Sequence, residues 1–374
     1  MQEHGMGNPA ISHGALDRLS TVFYDQIKRG LHYGAQLAVY LPGEPVFSMT
    51  GGYADALRRR PVTPHTPFII YSVTKSFVAT AIHILVDRGL LDIEAPVCGY
   101  WPEFSRHGKA SITTRHLLLH QAGIPGSMGV LDLASWLLPS LRAGRSEALV
   151  PEHEPGARCV YHMFTAHIIL GELIRRIDGR APETFIEDEL LHPLGMNDSY
   201  AGLPRSVYAK ASRIYTGDKA QSAAARVFSG PLMRSAFMPA ASINTTASDL
   251  AVFYLMLAKG GVHKGTRILS AEAVRRATAM QYDGPDGDSD RRIRWSMGFA
   301  IGGAPHFPDE DCIMMGHGSS ERTFGHAGQG GCALGWADPG AGIAFAFVCN
   351  RFLAPKAAHA RFEELSDRVW DALG

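Results

Sequence analysis

The sequence predicts an α+β fold: an antiparallel sheet built from both chain ends, flanked by helices, with a mostly helical subdomain inserted. Three observations predict it. Strand-like texture appears at about residues 35–49 and returns from about residue 292. The periodic segments between about 110 and 260 are mostly helical. No regular strand–helix alternation runs through the chain, which disfavours a doubly wound sheet or a β/α barrel. The 374 residues are therefore read as one unit. Its α/β part covers about 8–70 plus 270–374, and its helical part about 71–269.

The elements follow in order. A first helix is expected over Ala15 to Lys28, before Gly30. "AQLAVYLPGEPVFSMTGGYAD" then reads as a hairpin: a strand over Ala35 to Tyr40, a turn at Pro42 and Gly43, and a second strand through Phe47 and Met49. In "FIIYSVTKSFVATAIHILVDRGL" the pattern turns helical after Ile70, and Gly89 is the natural stop. Helical segments continue in "TTRHLLLHQAG", "LDLASWLLPSLRAG", "FTAHIILGELIRRIDG", "PETFIEDELLHPLGM" and "TASDLAVFYLMLAKGG". The stretch "QYDGPDGDSDRRIRW" is polar and turn-rich and reads as a surface loop near the site mouth. Strand texture resumes in "IRWSMGFAIGG", "TFGHAG", "GGCALGWADP" and "GIAFAFVCN". Ala357 to Leu373 is amphipathic and closes the chain as a helix.

Composition excludes several functions. The formal net charge is zero, from 36 basic and 36 acidic residues, so nothing marks a nucleic-acid binder. Cys98, Cys159, Cys312, Cys332 and Cys349 are scattered and form no C-x-x-C pair. Neither a disulfide framework nor a structural zinc site is expected, and a reducing compartment fits. The N-terminus has no signal-peptide pattern, and no run approaches the roughly 20 apolar residues of a membrane span, so the expected location is cytoplasmic. There is no G-x-S-x-G elbow, no P-loop and no H-E-x-x-H, and the glycines from Gly325 to Gly335 do not spell G-x-G-x-x-G. No metal or organic cofactor is expected. Oligomeric state is left open.

What remains is Ser72-Val73-Thr74-Lys75. Residues three apart share a helix face, so the amine can reach the hydroxyl. A helix start also presents free N–H groups to a developing oxyanion. A lysine there takes up a proton only if burial or neighbours lower its affinity for one. The same residues also fit a capping serine followed by a solvated lysine.

Further segments, in order along the chain, settle between these. "FIIYSVTKSF" is followed by "GLLDIEAPVCGYWPEF", "ITTRHLLLHQAGIPG", "PGARCVYHMFTAHIILGELIRRIDG", "LLHPLGMNDSY", "PAASINTTASDLAVFYLMLAKGG" and "FGHAGQGG". Together they resemble the class C β-lactamase-like serine hydrolases, a group that includes penicillin-binding DD-peptidases, family VIII carboxylesterases and some acyltransferases. The likeness runs from about Ala15 to Phe352. It implies a β-lactamase/DD-peptidase-like fold, with Ser72 as the acylated nucleophile, Lys75 as its proton partner and Tyr161 as the second acid and base. Lys75, as an ammonium, would stabilise a Tyr161 phenolate. His326-Ala327-Gly328 matches the third motif and implies an edge strand lining the site. The N–H of Gln329 would complete an oxyanion hole with that of Ser72.

Two positions depart from the family pattern. Met163 replaces the Asn that closes the second motif, and His326 replaces a Lys, leaving a cation only when protonated. Both tilt the expected substrate from lactams and peptides towards esters. Tyr71, Met163, Phe164, Phe237, Met238 and Trp336 are expected as apolar pocket walls. Asp249 is expected to serve helix capping, Arg115 and His120 to hold the helical part, and Glu321 and Arg322 to order the loop before the third motif. The reading is a serine hydrolase acting on a small-molecule carboxylic ester. The alternatives are an acyltransferase or transesterase, a β-lactamase or D-amino-acid peptidase-type amide hydrolase, and, last, a non-catalytic binding member of the family.

Overall fold

A computed structural model describes residues 13–41, 47–127, 129, 135, 137–218, 222–289, 291–305 and 312–373. A nine-stranded antiparallel sheet draws on both ends of the chain. Its strands are β1 (Gly34–Tyr40), β2 (Phe47–Asp55), β3 (Arg60–Pro61), β4 (Tyr282–Pro285), β5 (Arg292–Trp295), β6 (Ala300–Ile301), β7 (Phe324–Ala327), β8 (Ala333–Asp338) and β9 (Ile343–Cys349). Their spatial order is β3-β2-β1-β9-β8-β7-β6-β5-β4. β1 and β9, far apart in sequence, join the two halves in the register Leu37↔Phe347 and Ala38↔Ala346. The turn expected at Pro42 and Gly43 lies outside the described residues.

Alternation along the central strands sorts side chains by size. Ala38, Ala333, Ala337, Ala344 and Ala346 share one core cluster, and Leu37, Leu334, Trp336, Phe345 and Phe347 share another. The small-residue face lets α4 (Ala247–Ala258) approach closely: a Cβ on Gly335 would lie 2.1 Å from the Tyr254 ring. α2 (Thr74–Asp87) lies beyond, its Phe77 stacked on Phe253 of α4 at 3.9 Å. Residues Thr74 to Leu85 of α2 are all buried, and its polar side chains find partners inside: Ser76 Oγ lies 3.2 Å from Tyr254 Oη, Thr80 Oγ1 donates to Ser76 O at 2.8 Å and His83 Nε2 donates to Met297 O at 2.9 Å. The large-residue face is covered by α1 (His13–Lys28) and α5 (Pro355–Trp370), which pack on each other. Between the sheet halves in sequence lies the helical region, whose longest helix beside α2 is α3 (Thr165–Asp178), ended by Gly179 at φ 92°.

Trp336 belongs to this packing and is not a pocket wall. Its ring stacks on Trp370 of α5 at 5.2 Å, and its Nε1–H donates to Ser366 Oγ at 3.1 Å. The period-2 pattern sends it to the face opposite Gly335, beneath the closing helix. Trp336→Ala is expected to lower unfolding free energy by about 3–5 kcal/mol, read from a denaturant midpoint. Tyr71, Phe237 and Met238 are likewise buried core residues.

The stretch 281–295 is not a loop. β4 pairs with β5 through Arg292↔Pro285 and Trp295↔Tyr282, and Arg292 donates to Asp283 Oδ1 at 2.7 Å. Its polar and turn-forming residues gather at a hairpin tip. β7 is also not a simple edge strand. It pairs with β8 over its whole length, but β6 reaches only Phe324 and Gly325, so the sheet edge opens at His326 and Ala327.

Candidate active site

Ser72 lies in a 3₁₀ turn, Tyr71–Val73, immediately before α2. Val73 occupies the helix N-cap position and no side chain caps it, so the Ser72 hydroxyl is not consumed there. Tyr71 takes φ 47°, a costly value for a bulky residue. Its ring is held against Phe228 and Phe352, which fixes the turn that presents Ser72.

One helical turn on, Lys75 is buried, with Nζ 3.2 Å from Ser72 Oγ, 2.9 Å from Met163 O and 3.1 Å from Ala240 O. Burial pushes its amine down to about 7. The ammonium donates to all three oxygens. The neutral amine keeps two N–H donors for the two carbonyls and turns its lone pair to the Ser72 O–H. The carbonyls therefore orient the base. Met163 contributes through its backbone, while its side chain is 48% exposed. Neither Met163 O nor Ala240 O leaves a side-chain signature in the sequence.

Tyr161 lines the same site. Its ring stacks on Trp295 at 5.9 Å and lies 4.7 Å from the His120 ring. Burial pushes the phenol up to about 12, against weaker pulls from the Ser72 hydroxyl and the Arg291 charge. Lys75 Nζ sits 5.3 Å from the ring centroid. Burial thus works against a phenolate at Tyr161 and in favour of a neutral amine at Lys75.

Beneath Tyr161 sit three buried histidines, His120, His162 and His167, none of which stood out individually in the sequence except His120. Burial lowers the pKa of each, so the lysine meets neutral rings. His120 Nδ1 accepts from the His162 N–H at 3.1 Å, tying down the backbone next to Tyr161. His120 thus positions the tyrosine segment. Arg115 donates to Gln281 Oε1 at 2.6 Å and joins the helical part to the β4–β5 hairpin. Asp249 accepts from Asp198 N and Ser199 Oγ, while its own N–H is capped by Thr246. Glu321 pairs with Arg294 at 2.7 Å, and Arg322 lies against Gly340.

His326 is buried at the open end of β7. Burial, and then the Lys75 charge, push it down to about 3. It is a neutral imidazole, donating from Nδ1 to Ala327 O at 2.9 Å, and cannot supply the cation expected of a third-motif lysine. Gly328 comes next. A Cβ there would lie 2.6 Å from Ile70 O, two residues before Ser72, so only glycine lets this strand end approach the nucleophile turn. Gln329 follows in the short turn Gln329–Gly331, whose carbonyls at Gly330 and Gly331 accept from the buried Arg361 of α5. Gly328→Ala is expected to displace this turn and cut kcat by about 10²-fold, the loss typical of one oxyanion donor, with KM changed less. Steady-state kinetics on a chromogenic ester check it.

A pocket of about 420 Å³ opens from Ser72. Tyr161, His326, Gly328 and Gln329 line its catalytic end. Asp286, Arg291, Arg294, Trp295, Met314, Leu353, His359 and Phe362 are among the other residues that line it. Phe164 and Met163 do not line it. The C-terminal walls went unread in the sequence because they project from α5 and its approach, far from every motif. Among the described residues one group could hold a metal ion: His317, Glu363 and Asp367. It shares no residue with the pocket, and its carboxylates accept the N–H groups of Ile313 and His317.

A family profile described as Beta-lactamase matches residues 23–367. The chain belongs to the beta-lactamase family. Across its length this beta-lactamase family chain is 34% identical over 352 residues to "Esterase/beta-lactamase LipL" of Mycobacterium tuberculosis, covering 86% of the chain and 78% of that protein. It superposes on a penicillin-binding protein homologue from Caulobacter crescentus with TM-score 0.84 and 28% identity, over 97% of this chain and 98% of the other. A family VIII carboxylesterase structure aligns with TM-score 0.80 and 30% identity, over 95% and 98%. The fold is thus the β-lactamase/DD-peptidase type, and the chain is a serine hydrolase of this family. Among the described residues no helix is long and apolar enough to cross a membrane.

Proposed function

We propose that the protein is a carboxylesterase working through a Ser72 acyl-enzyme. The observation that carries this reading is Lys75 Nζ at 3.2 Å from Ser72 Oγ, buried and held by two carbonyls. The ester carbonyl binds with its oxygen towards the N–H groups of Ser72 and Gln329. Ser72 Oγ attacks the carbonyl carbon as its proton passes to neutral Lys75. The tetrahedral intermediate collapses, and the alcohol leaves with a proton from the Tyr161 hydroxyl, which Lys75 restores. Water then enters, loses its proton to the same pair and releases the acid. Ester is favoured over lactam or peptide because Met163 removes an amide-binding side chain and His326 is uncharged. The names of LipL and of the family VIII carboxylesterase support the same substrate class. The partner is a small-molecule ester or acyl donor. Five scattered cysteines with no C-x-x-C pair favour a reducing, cytoplasmic setting.

The test is a fluorophosphonate probe followed by intact and peptide mass, with p-nitrophenyl esters and nitrocefin as substrates. The expected result is one adduct, on Ser72, with ester turnover well above nitrocefin turnover. An adduct elsewhere, or nitrocefin as the better substrate, would overturn the reading. An added alcohol that diverts product to a new ester would reassign the enzyme to acyl transfer.

A further inference from the structure

The leaving alcohol takes its proton from Tyr161, so the alcohol oxygen of a bound ester lies beside that ring. The pocket continues from there along an apolar wall. Tyr161 stacks on Trp295 at 5.9 Å, and Trp295 pairs with Ala300 across β5 and β6. Alternation along β5 puts Ile293 on the same face as Trp295. Ile293, Trp295, Ala300, Met314 and Phe362 are buried in one cluster, and all five line the pocket. They bound its inner end between the sheet and α5. Both walls are held from behind: the Phe362 ring lies 6.1 Å from that of Phe347, and the Met314 carbonyl accepts from Ser366 Oγ at 2.9 Å. The rim is at Gln329, Ala354 and Pro355, which are exposed.

The charged groups around the pocket favour neither sign. Asp286 and Arg291 both line it, with opposite charges. Arg294 is paired with Asp283 at 3.2 Å and Glu321 at 2.7 Å. Burial, and then the Arg291 charge, push His359 down to about 4, so its ring is neutral.

We propose that the inner end of this pocket holds the alcohol half of the ester as an unbranched apolar chain, and that Ala300 and Met314 set its length. The proposal rests on the esterase reading and adds the substrate class to it: the enzyme selects on the alcohol, not on the acid. The geometry follows from the roles of the groups at Ser72. The carbonyl oxygen turns to the N–H groups of Ser72 and Gln329, and the alkoxy oxygen to Tyr161. The acyl chain takes the remaining direction at the carbonyl carbon, away from Trp295. None of the five wall residues lies in a family motif.

The experiment compares ethyl acetate, hexyl acetate and ethyl hexanoate by titration of the released acid. The last two are isomers of equal apolar content with the chain on opposite halves. Hexyl acetate is expected to exceed ethyl acetate in kcat/KM by about 10²-fold, at about three- to fourfold per buried methylene. Ethyl hexanoate gains less than about tenfold on the same basis. Ala300→Leu fills the inner end and is expected to lower the hexyl-to-ethyl acetate ratio by about tenfold. Met314→Ala deepens it and raises the octyl-to-hexyl acetate ratio by about tenfold. Each ratio is taken within one preparation, so the amount of folded enzyme cancels. The two substitutions act in opposite directions, so either one tests the wall if the other does not fold. Ethyl hexanoate matching or exceeding hexyl acetate overturns the proposal and gives the pocket to the acyl half, with the esterase intact. Unchanged ratios in the variants overturn it as well. Failure of every ester, together with the absence of a Ser72 adduct, overturns the esterase reading and this one with it.

Discussion

Ser72→Ala is expected to lose about four to six orders of magnitude in kcat on a p-nitrophenyl ester while keeping its fold. The loss is large because no other hydroxyl can replace the nucleophile. Lys75 Nζ is aimed at Ser72 Oγ and its other two contacts are carbonyls. A residual rate over water remains from the oxyanion donors and binding. The side chain lost is one oxygen in a turn fixed by Tyr71 and by the approach of Gly328, so circular dichroism and the melting temperature should change little. Kinetics must be read with active-site titration, since a trace of wild-type enzyme mimics residual activity. Activity within tenfold of wild type would remove Ser72 from the nucleophile's role. Retained activity with an adduct at another serine would move the site.

How far the sequence reached depends on which link of the chain is asked about. Ser72 and Lys75 were legible because a three-residue spacing converts directly into a shared helix face. Tyr161 and Gly328 were legible only through the ordered segments of a family; nothing local to "CVYHM" or "HAG" predicts that they converge on the same nucleophile. The β4–β5 hairpin was missed because Gly284, Pro285, Gly287 and the aspartates around them signal turns. The strand pairing is instead set by long-range sheet closure and by the Asp283–Arg292 contact. Trp336 was misplaced because an aromatic near a motif says nothing of which face it takes. Its neighbours did carry the answer: small Ala333, Gly335 and Ala337 alternate with Leu334 and Trp336, and only the second set faces α1 and α5. His326 could not be judged neutral from its identity, since burial alone decides that. The carbonyls that orient Lys75 belong to the backbone and are invisible to any reading of residue types.

Lys75→Met is expected to lower kcat/KM by about 10²- to 10⁴-fold, the range of a general base, and the wild-type pH profile reports the titration of the Lys75–Tyr161 pair. Its amine is pushed down to about 7 from an ordinary value of 10.5 by burial. A neutral amine is the active base, so wild-type kcat/KM should rise with unit slope below about pH 7 and level off above it. With the Tyr161 phenol pushed up to about 12, no descending limb is expected up to about pH 9. The reverse assignment, a Tyr161 phenolate sustained by a Lys75 ammonium, carries the same number of protons as the neutral pair and gives the same rise, so the rate profile reports the titration of the pair and not which member holds the proton. Stability supplies a second readout with its own sign. Between about 7 and 10.5 the folded protein has released the Lys75 proton while the unfolded chain still holds it. The unfolded state therefore binds more protons there, and unfolding free energy increases with pH by at most about 1.4 kcal/mol per unit. Lys75→Met lacks this increment, so subtracting its urea midpoints from those of wild type isolates the lysine from the buried histidines, which titrate lower. A difference that stays flat from pH 7 to 9 would mean that neither Lys75 nor Tyr161 has given up a proton in the fold, and would remove the pair as a base poised at neutral pH.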